Sequence, residues 1–220
     1  GLSLRLRVAA EALGPTYIKL GQIISSGVGI FPDELVDEFK RCRDRVRAEP
    51  FADVRRVVEE DLGRPLETAF ASFDRVPLAA ASIAQVHAAT LPSGESVVVK
   101  VQRPQVATLV QEDLRVMAWL APMFVGRIPV AALANPPALV ELFAETIVEE
   151  LDFRLEAENM LDVSRSMRQL GQEAYVIPRP HPELVTRRVL VMERLSGFAL
   201  DEVDAMKAAE TRAFAPLMVS

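Results

Sequence analysis

Apolar side chains recur with the spacing of one helix face through the first part of the chain. This pattern predicts helices at Leu2–Leu13, Thr16–Ser26, Pro32–Val46 and Phe51–Leu62. Gly14 and Pro15 are suited to separate the first two helices, and Gly63 is suited to end the fourth. Residues 1–66 are therefore expected to form a helical extension.

Short segments of strand-like composition replace this pattern after residue 66. They predict a meander of strands at Phe73–Pro77, Gln85–Thr90 and Ser96–Val101, with a hairpin connection at Leu91–Glu95. Helices are predicted next, at Pro104–Leu120 and over a long segment from Pro136 to Leu170. Two strands at Tyr175–Ile177 and Arg188–Glu193 would complete a five-stranded antiparallel sheet, followed by a helix near Asp201–Ala213.

This order predicts an α+β fold similar to the small lobe of a protein kinase, with a long helix in the C-helix position and the helical extension in front. The small lobe and hinge would span residues 67–197. Residues 198–220 would be the truncated start of a large lobe that is otherwise missing.

Composition narrows the possible functions. The 220 residues are 50% hydrophobic and carry a net charge of −6, so the basic excess of a nucleic-acid-binding protein is lacking. One cysteine, Cys42, and two histidines, His87 and His181, exclude a disulfide framework and a Cys/His zinc cluster. This content is typical of a reducing cytoplasm.

The most apolar region, Val116–Leu133, is interrupted by Arg127 and by two prolines. It is shorter than the roughly 20 uninterrupted residues of a spanning helix, so no transmembrane helix is predicted. The N-terminal segment Gly1–Ala12 lacks a long apolar core and a small-residue cleavage site, and is interpreted as a structural helix.

One lysine lies inside a valine-rich strand, in the sequence Val97-Val98-Val99-Lys100-Val101. An ammonium taken out of water needs an anionic partner. A nucleotide phosphate together with a helix carboxylate supplies one in kinases. The alternative is an edge strand whose lysine extends into solvent.

Four ordered motifs resemble the UbiB/ADCK family of atypical, protein-kinase-like proteins. They are the K-x-G-Q element Lys19–Gln22, the alanine-rich loop Ala79–Ser82, the block Val99–Pro104 and the block Glu150–Ala157. Together they extend over most of the chain, and an ordered set is far more specific than any one of them.

The resemblance implies that this segment binds ATP or ADP with Mg²⁺. Its phosphate loop would consist of Ala79, Ala80, Ala81 and Ser82 in place of glycines, and Lys100 would be the catalytic strand lysine. The backbone C=O of Glu193 and N–H of Leu195 would pair with the adenine edge at the hinge. Alanines allow fewer close backbone approaches than glycines, so nucleotide preference or reactivity should differ from that of an ordinary kinase.

Carboxylates on the long helix are the candidate partners of the two motif lysines. In a regular helix Glu149, Asp152 and Glu156 share a face, whereas Glu150 points away from Asp152. We expect either Glu156 or Glu150 to pair with Lys100, and the sequence does not distinguish between these two. We expect Asp152 to pair with Lys19.

Lys19 and Gln22 share a helix face and are expected to be partly buried against the small lobe. In the family this extension is thought to occupy the place where a protein substrate would dock, which implies that it disfavours protein phosphorylation. After Ser26 the chain reads Gly27-Val28-Gly29-Ile30-Phe31-Pro32, where members of the family often carry an Arg-Pro-Asp segment.

The sequence leaves catalysis open, because no catalytic-loop Asp/Asn pair or metal-binding Asp-Phe-Gly element precedes Ser220 and the metal ligands are expected beyond it. One hypothesis is the nucleotide-binding part of an atypical kinase or ATPase that supports isoprenoid-quinone or other lipid metabolism. It would lie in the cytoplasm, peripheral to the inner membrane face, with quinone-pathway proteins or lipid as partners. The alternatives are a non-catalytic nucleotide-binding pseudokinase or scaffold, and a purely structural helical interaction domain.

Overall fold

A computed structural model describes residues 1–27, 29, 31–42, 46–125, 135–172 and 175–196. Within these ranges the chain forms eight helices and six strands. The helices are α1 (Leu2–Leu13), α2 (Pro15–Ser26), α3 (Asp33–Phe39), α4 (Phe51–Leu62), α5 (Leu66–Ala69), α6 (Val106–Phe124), α7 (Pro136–Glu150) and α8 (Phe153–Gln169). The strands are β1 (Ser72–Phe73), β2 (Ala79–Ala80), β3 (Ala84–Thr90), β4 (Ser96–Gln102), β5 (Pro180–Val185) and β6 (Val189–Glu193). The helix predicted near Asp201–Ala213 lies outside the described residues.

The strands form one antiparallel sheet in the order β1-β3-β4-β6-β5, and β2 pairs with β3 beside this path. The predicted antiparallel sheet is therefore confirmed, but it has a sixth strand. That strand, β2, lies inside the alanine-rich segment, where two alanines gave no strand signal because alanine is depleted in strands.

The strand predicted at Tyr175–Ile177 is wrong. The pairing partner of β6 is Pro180–Val185, and β6 ends at Glu193, whose N–H donates to Arg179 C=O (2.9 Å). Nothing of β6 remains for residues 175–177 to pair with. Likewise, the strand predicted at Phe73–Pro77 shortens to the two residues of β1.

The long helix predicted from Pro136 to Leu170 is two helices. α7 ends at Glu150 and α8 begins at Phe153, with Asp152 as its N-cap: the Asp152 carboxylate accepts the Arg154 N–H at 3.1 Å. The side-chain N–H of Gln102 on β4 donates to Leu151 C=O (3.2 Å), which attaches the break to the sheet.

Other helix limits also differ from expectation. The helix predicted at Pro32–Val46 covers only Asp33–Phe39, and Cys42 lies beyond its end. The helix predicted to end at Leu120 continues to Phe124. The predicted limits of α1 and α4 are confirmed, and Gly63 ends α4 with φ +65°.

The sheet separates two hydrophobic clusters. On one face Val97, Val99 and Val101 pack with residues of α4 and α5, and none is more than 1% exposed. On the other face the cluster contains Ile83 and Leu190 together with residues of α6, α7 and α8. Because side chains alternate along a strand, Lys100 lies on the face covered by α8.

An arginine attaches α4 to the turn between β5 and β6. Arg188 donates from Nε to Asp61 Oδ1 (2.8 Å), and the Thr186 hydroxyl donates to Asp61 Oδ2 (2.6 Å). This contact joins α4, which packs on the sheet face opposite Lys100, to the β5–β6 turn. No helix among the described residues has the length and apolar character needed to cross a membrane.

Candidate functional site

A cleft of about 740 Å³ lies on the α8 side of the sheet. Its lining includes Lys19 of α2, Lys100 of β4, Glu150 of α7, Glu156 of α8 and Ile83. The structure therefore brings both motif lysines and two of the candidate carboxylates to one place.

Lys100 forms an ion pair with Glu156. Its ammonium donates to Oε2 at 2.6 Å and to Oε1 at 2.9 Å, and Glu156 lies in the first turn of α8. The geometry thus selects Glu156 over Glu150, the two candidates that the sequence did not separate. In protein kinases a strand lysine likewise forms an ion pair with a glutamate of the C-helix.

The ring of Phe153 also contacts this lysine. Lys100 Nζ lies 4.7 Å from the ring centroid, and Phe153 is fully buried. A cation over an aromatic face is stabilised electrostatically, so the ring and the carboxylate together hold the ammonium. Phe153 was not among the predicted site residues, although its position, three before Glu156 on the same helix face, was a usable signal.

Lys19 pairs with Glu150 at 2.7 Å. The expectation that Asp152 would meet Lys19 is wrong. Asp152 accepts two bonds from the Arg154 guanidinium, at 2.9 and 2.6 Å, and these bonds hold the pKa of its carboxyl below the ordinary value. The physical reason is the break between α7 and α8. The prediction assumed that these carboxylates lie on one regular helix, but α7 ends at Glu150.

Gln22 lies on the far side of the Lys19–Glu150 pair. A second cleft of about 520 Å³ is lined by Lys19, Gln22, Phe31, Leu142 and Glu150 among others. Lys19 and Glu150 line both clefts, so their ion pair lies between the two. The role expected for Lys19 and Gln22, which is to disfavour protein phosphorylation, stays a prediction.

The alanine-rich segment is a tight β-hairpin. Ala79 pairs with Val86 and Ala80 with Gln85, and Ala81 N–H donates to Ala84 C=O at 2.8 Å. The tip residues Ser82 and Ile83 are buried at 2% and 7% exposure. Ile83 reaches the lining of the Lys100 cleft, whereas nucleotide contacts by Ala79–Ser82 stay a prediction.

The expected hinge follows β6, the neighbour of β4. Leu190 is paired with Lys100 in the sheet, and Glu193 ends the strand. Arg194 N–H donates to Ser96 C=O (3.3 Å), and Leu195 is exposed. Adenine recognition by Glu193 and Leu195 stays a prediction.

His87 lies on the sheet face opposite Lys100, where it pairs with Val99 and packs against Phe73. Its Nδ1 is 2.8 Å from Asp74 C=O, and its Nε2 is 2.8 Å from Gln85 Nε2. Gln85 Nε2 can only donate, so Nε2 of the histidine accepts and Nδ1 carries the proton. Burial lowers the pKa of His87, and the neutral ring is a structural group.

The described residues do not fit a dedicated magnesium site. Glu150 and Glu156 already bond lysine ammoniums at 2.7 and 2.6 Å, and Mg²⁺ requires oxygen ligands in octahedral geometry. Across the described ranges, no group of three or more His, Cys, Asp or Glu residues is arranged to hold a metal ion.

Comparison with known proteins identifies the family of this chain. The ABC1 atypical kinase-like domain matches residues 41–215. The probable protein kinase UbiB of Aeromonas salmonicida is 39% identical over 207 residues, which cover 93% of this chain and 37% of that protein. An uncharacterized chloroplastic aarF domain-containing protein kinase of Arabidopsis thaliana is 38% identical, over 93% of this chain and 38% of that protein.

A solved structure is also similar. The complex of Rv3197 with erythromycin from Mycobacterium tuberculosis superposes with a TM-score of 0.55 and 29% identity, over 74% of this chain and 40% of that one. The chain spans only 37% to 38% of the length of the two curated relatives. These matches confirm the resemblance to UbiB/ADCK proteins and the kinase-like small lobe. The chain belongs to the family of ABC1 atypical kinase-like proteins.

Proposed function

We propose that this chain is the nucleotide-binding small lobe and helical extension of an atypical kinase or ATPase of the UbiB type. The observation that carries the proposal is the Lys100–Glu156 ion pair, with Nζ to Oε2 at 2.6 Å, in a cleft of about 740 Å³. In protein kinases a lysine so paired binds nucleotide phosphates. ATP or ADP is the ligand proposed for the cleft.

The position of the Lys100 ammonium in the cleft supports this ligand. Lys100 is balanced by Glu156 and Lys19 by Glu150, so both lysines are held in place by acidic partners. The Lys100 side chain is 23% exposed, which leaves part of the ammonium accessible from the cleft. A lysine ammonium has three donors and can bind a phosphate oxygen while keeping its carboxylate partner.

The helical extension is the second part of the proposal. Lys19 of α2 joins Glu150 at the edge of the cleft, which ties residues 1–66 to the small lobe of residues 67–197. An extension bound there would restrict access by a protein substrate. The proposed substrate is accordingly a small molecule or lipid, in isoprenoid-quinone or other lipid metabolism at a membrane surface.

A non-catalytic nucleotide switch is the second candidate. The observation that favours it is the buried tip of the alanine-rich hairpin, where Ser82 and Ile83 pack inside the fold. A phosphate loop held in this way suits stable nucleotide occupancy better than rapid turnover. Turnover of ATP by the full-length protein, together with Asp and Asn metal ligands after residue 220, would favour the enzyme.

Calorimetric titration of the full-length protein with MgADP and MgATP tests the proposal. Lys100→Ala should weaken binding about tenfold or more, because a charge-assisted hydrogen bond contributes about 1.5–3 kcal/mol. Lys40→Ala is the matched control, since Lys40 pairs with Asp37 on the surface away from the cleft lining. Equal affinities for wild type and Lys100→Ala would refute the assignment of the cleft.

A further inference from the structure

Arg103 directly follows β4 and lies beside the tip of the alanine-rich hairpin. Its N–H donates to Ile83 C=O at 2.9 Å, and its Nη1 donates to Ala81 C=O at 3.3 Å. One side of the guanidinium is thus bonded to the hairpin. Arg103 was not among the predicted site residues, although it belongs to the block Val99–Pro104.

The other side of the guanidinium holds the linker, residues 46–50, which leads into α4. Arg103 Nη2 donates to Arg47 C=O at 2.9 Å and lies 2.6 Å from Glu49 Oε1. The Arg103 side chain is 14% exposed. The planar guanidinium presents its donors in a fixed fork, which fits bonds to two carbonyls and a carboxylate.

Two further bonds join the same linker to the hairpin. Val46 N–H donates to Ala80 C=O at 3.4 Å, and Glu49 N–H donates to Gln85 Oε1 at 2.8 Å. Ala80 and Gln85 are themselves paired across the hairpin. The linker therefore bonds both strands of the hairpin, and Arg103 bonds the linker and the turn.

We propose that Arg103 is a positioning residue for nucleotide binding, which fixes the alanine-rich hairpin to linker 46–50 and so makes the hairpin conformation depend on the helical extension. The inference rests on the proposed nucleotide function. Arg103 is absent from the described lining of the Lys100 cleft and acts through the Ala81 carbonyl. β2 contributes only two residues to its ladder, and so short a pairing needs support from neighbouring groups.

The test combines hydrogen–deuterium exchange with calorimetry on the full-length protein. Arg103→Gln should raise amide exchange in residues 79–85 about tenfold and weaken MgADP binding about fivefold, as expected for the loss of about 1 kcal/mol per hydrogen bond. Glu49→Gln keeps both carbonyl contacts and should have a smaller effect. If Arg103→Gln does not fold, Arg103→Lys carries the same test, since it keeps the charge but lacks the fork.

Arg188→Gln is the matched control. It removes another arginine bridge, from the β5–β6 turn to Asp61, and should lower the melting temperature without changing hairpin exchange or MgADP affinity. Faster hairpin exchange with unchanged affinity, or unchanged exchange, in Arg103→Gln would refute this inference alone. A wild-type protein that binds neither MgADP nor MgATP would refute the proposed function and the inference with it.

Discussion

Gln102 donates from Nε2 to the backbone carbonyl of Leu151 at 3.2 Å, so the strand that carries Lys100 also holds the break between α7 and α8. Lys100 and Gln102 are two residues apart on β4 and share a face of the sheet. One extended segment thereby binds Glu156 and fixes the point from which Glu156's helix begins. The Gln102 bond therefore holds the start of α8 next to the strand whose lysine Glu156 contacts.

Gln102→Leu should destabilise the protein by about 1–3 kcal/mol, because it leaves the buried Leu151 carbonyl without its donor. Gln102 is only 3% exposed. Urea denaturation followed by circular dichroism measures the free energy of unfolding. Gln111→Leu, on the exposed face of α6, is the control and should stay within about 0.5 kcal/mol of wild type. Equal stability of the two variants would contradict the role of the Gln102 bond.

Lys19 and Glu150 should show a small coupling in a double-mutant cycle. Both side chains are partly exposed, at 23% and 31%, so the expected coupling energy for stability is about 0.2–1 kcal/mol. The larger expected effect of Lys19→Ala is on the reaction: autophosphorylation of the full-length protein should appear or increase, because the extension no longer closes the cleft edge. If Lys19→Ala keeps the reaction specificity of the wild type, α2 does not disfavour protein phosphorylation.

His87 should make the protein less stable in mild acid. Burial lowers its pKa in the folded state, so the unfolded chain binds a proton first as the pH falls. The stabilisation is complete above about pH 6.5 and is lost below it, by up to about 1.4 kcal/mol per pH unit. Urea denaturation between pH 8 and pH 5 measures this slope.

His87→Leu should remove that part of the slope. Direct NMR titration of the imidazole in the wild-type protein keeps the question answerable if the variant does not fold. A ring that titrates at the ordinary histidine value would show that burial does not lower the pKa of His87.

Asp152→Ala should cost about 0.5–2 kcal/mol, since it removes the N-cap of α8. Asp152→Asn keeps an acceptor for the Arg154 N–H and should be nearly neutral, because Arg154 is mostly exposed and its ion pair contributes little. The lowered pKa of Asp152 adds stability that is present above about pH 4 and is lost as the pH falls further. A loss of stability in Asp152→Asn as large as in Asp152→Ala would assign the effect to charge instead of capping.

Local patterns predicted α1 and α4 well, because each combines clear periodicity with a glycine at its end. Local patterns failed where strand pairing or a break in a helix decides the structure. Tyr175–Ile177 has strand-like residues, yet strand formation depends on where β6 ends. Helical periodicity continues through Leu151, so the break there was hidden, although an aspartate ahead of an apolar-periodic segment is a known N-cap signal.

The same reason explains why only part of the candidate site could be predicted from the sequence. Motif order was sufficient to bring Lys19, Lys100 and the acidic block together, but the choice of partner required the α7–α8 break. Asp152 was assigned to Lys19 on the assumption of one regular helix, and the structure uses it as a cap. Contacts between side chains distant in sequence, such as Arg103 with Glu49, leave no periodic signal at all.

Because of the break between α7 and α8, the carboxylates of the two ion pairs lie on different helices. Glu150 belongs to the helix before the break and Glu156 to the helix after it, so the position of one carboxylate is not fixed by the helix of the other. The break itself is anchored, by Gln102 to β4 and by the Phe153 N–H to Arg187 C=O at 3.1 Å. The Lys19–Glu150 and Lys100–Glu156 ion pairs are therefore carried by two different helices that meet at one anchored break.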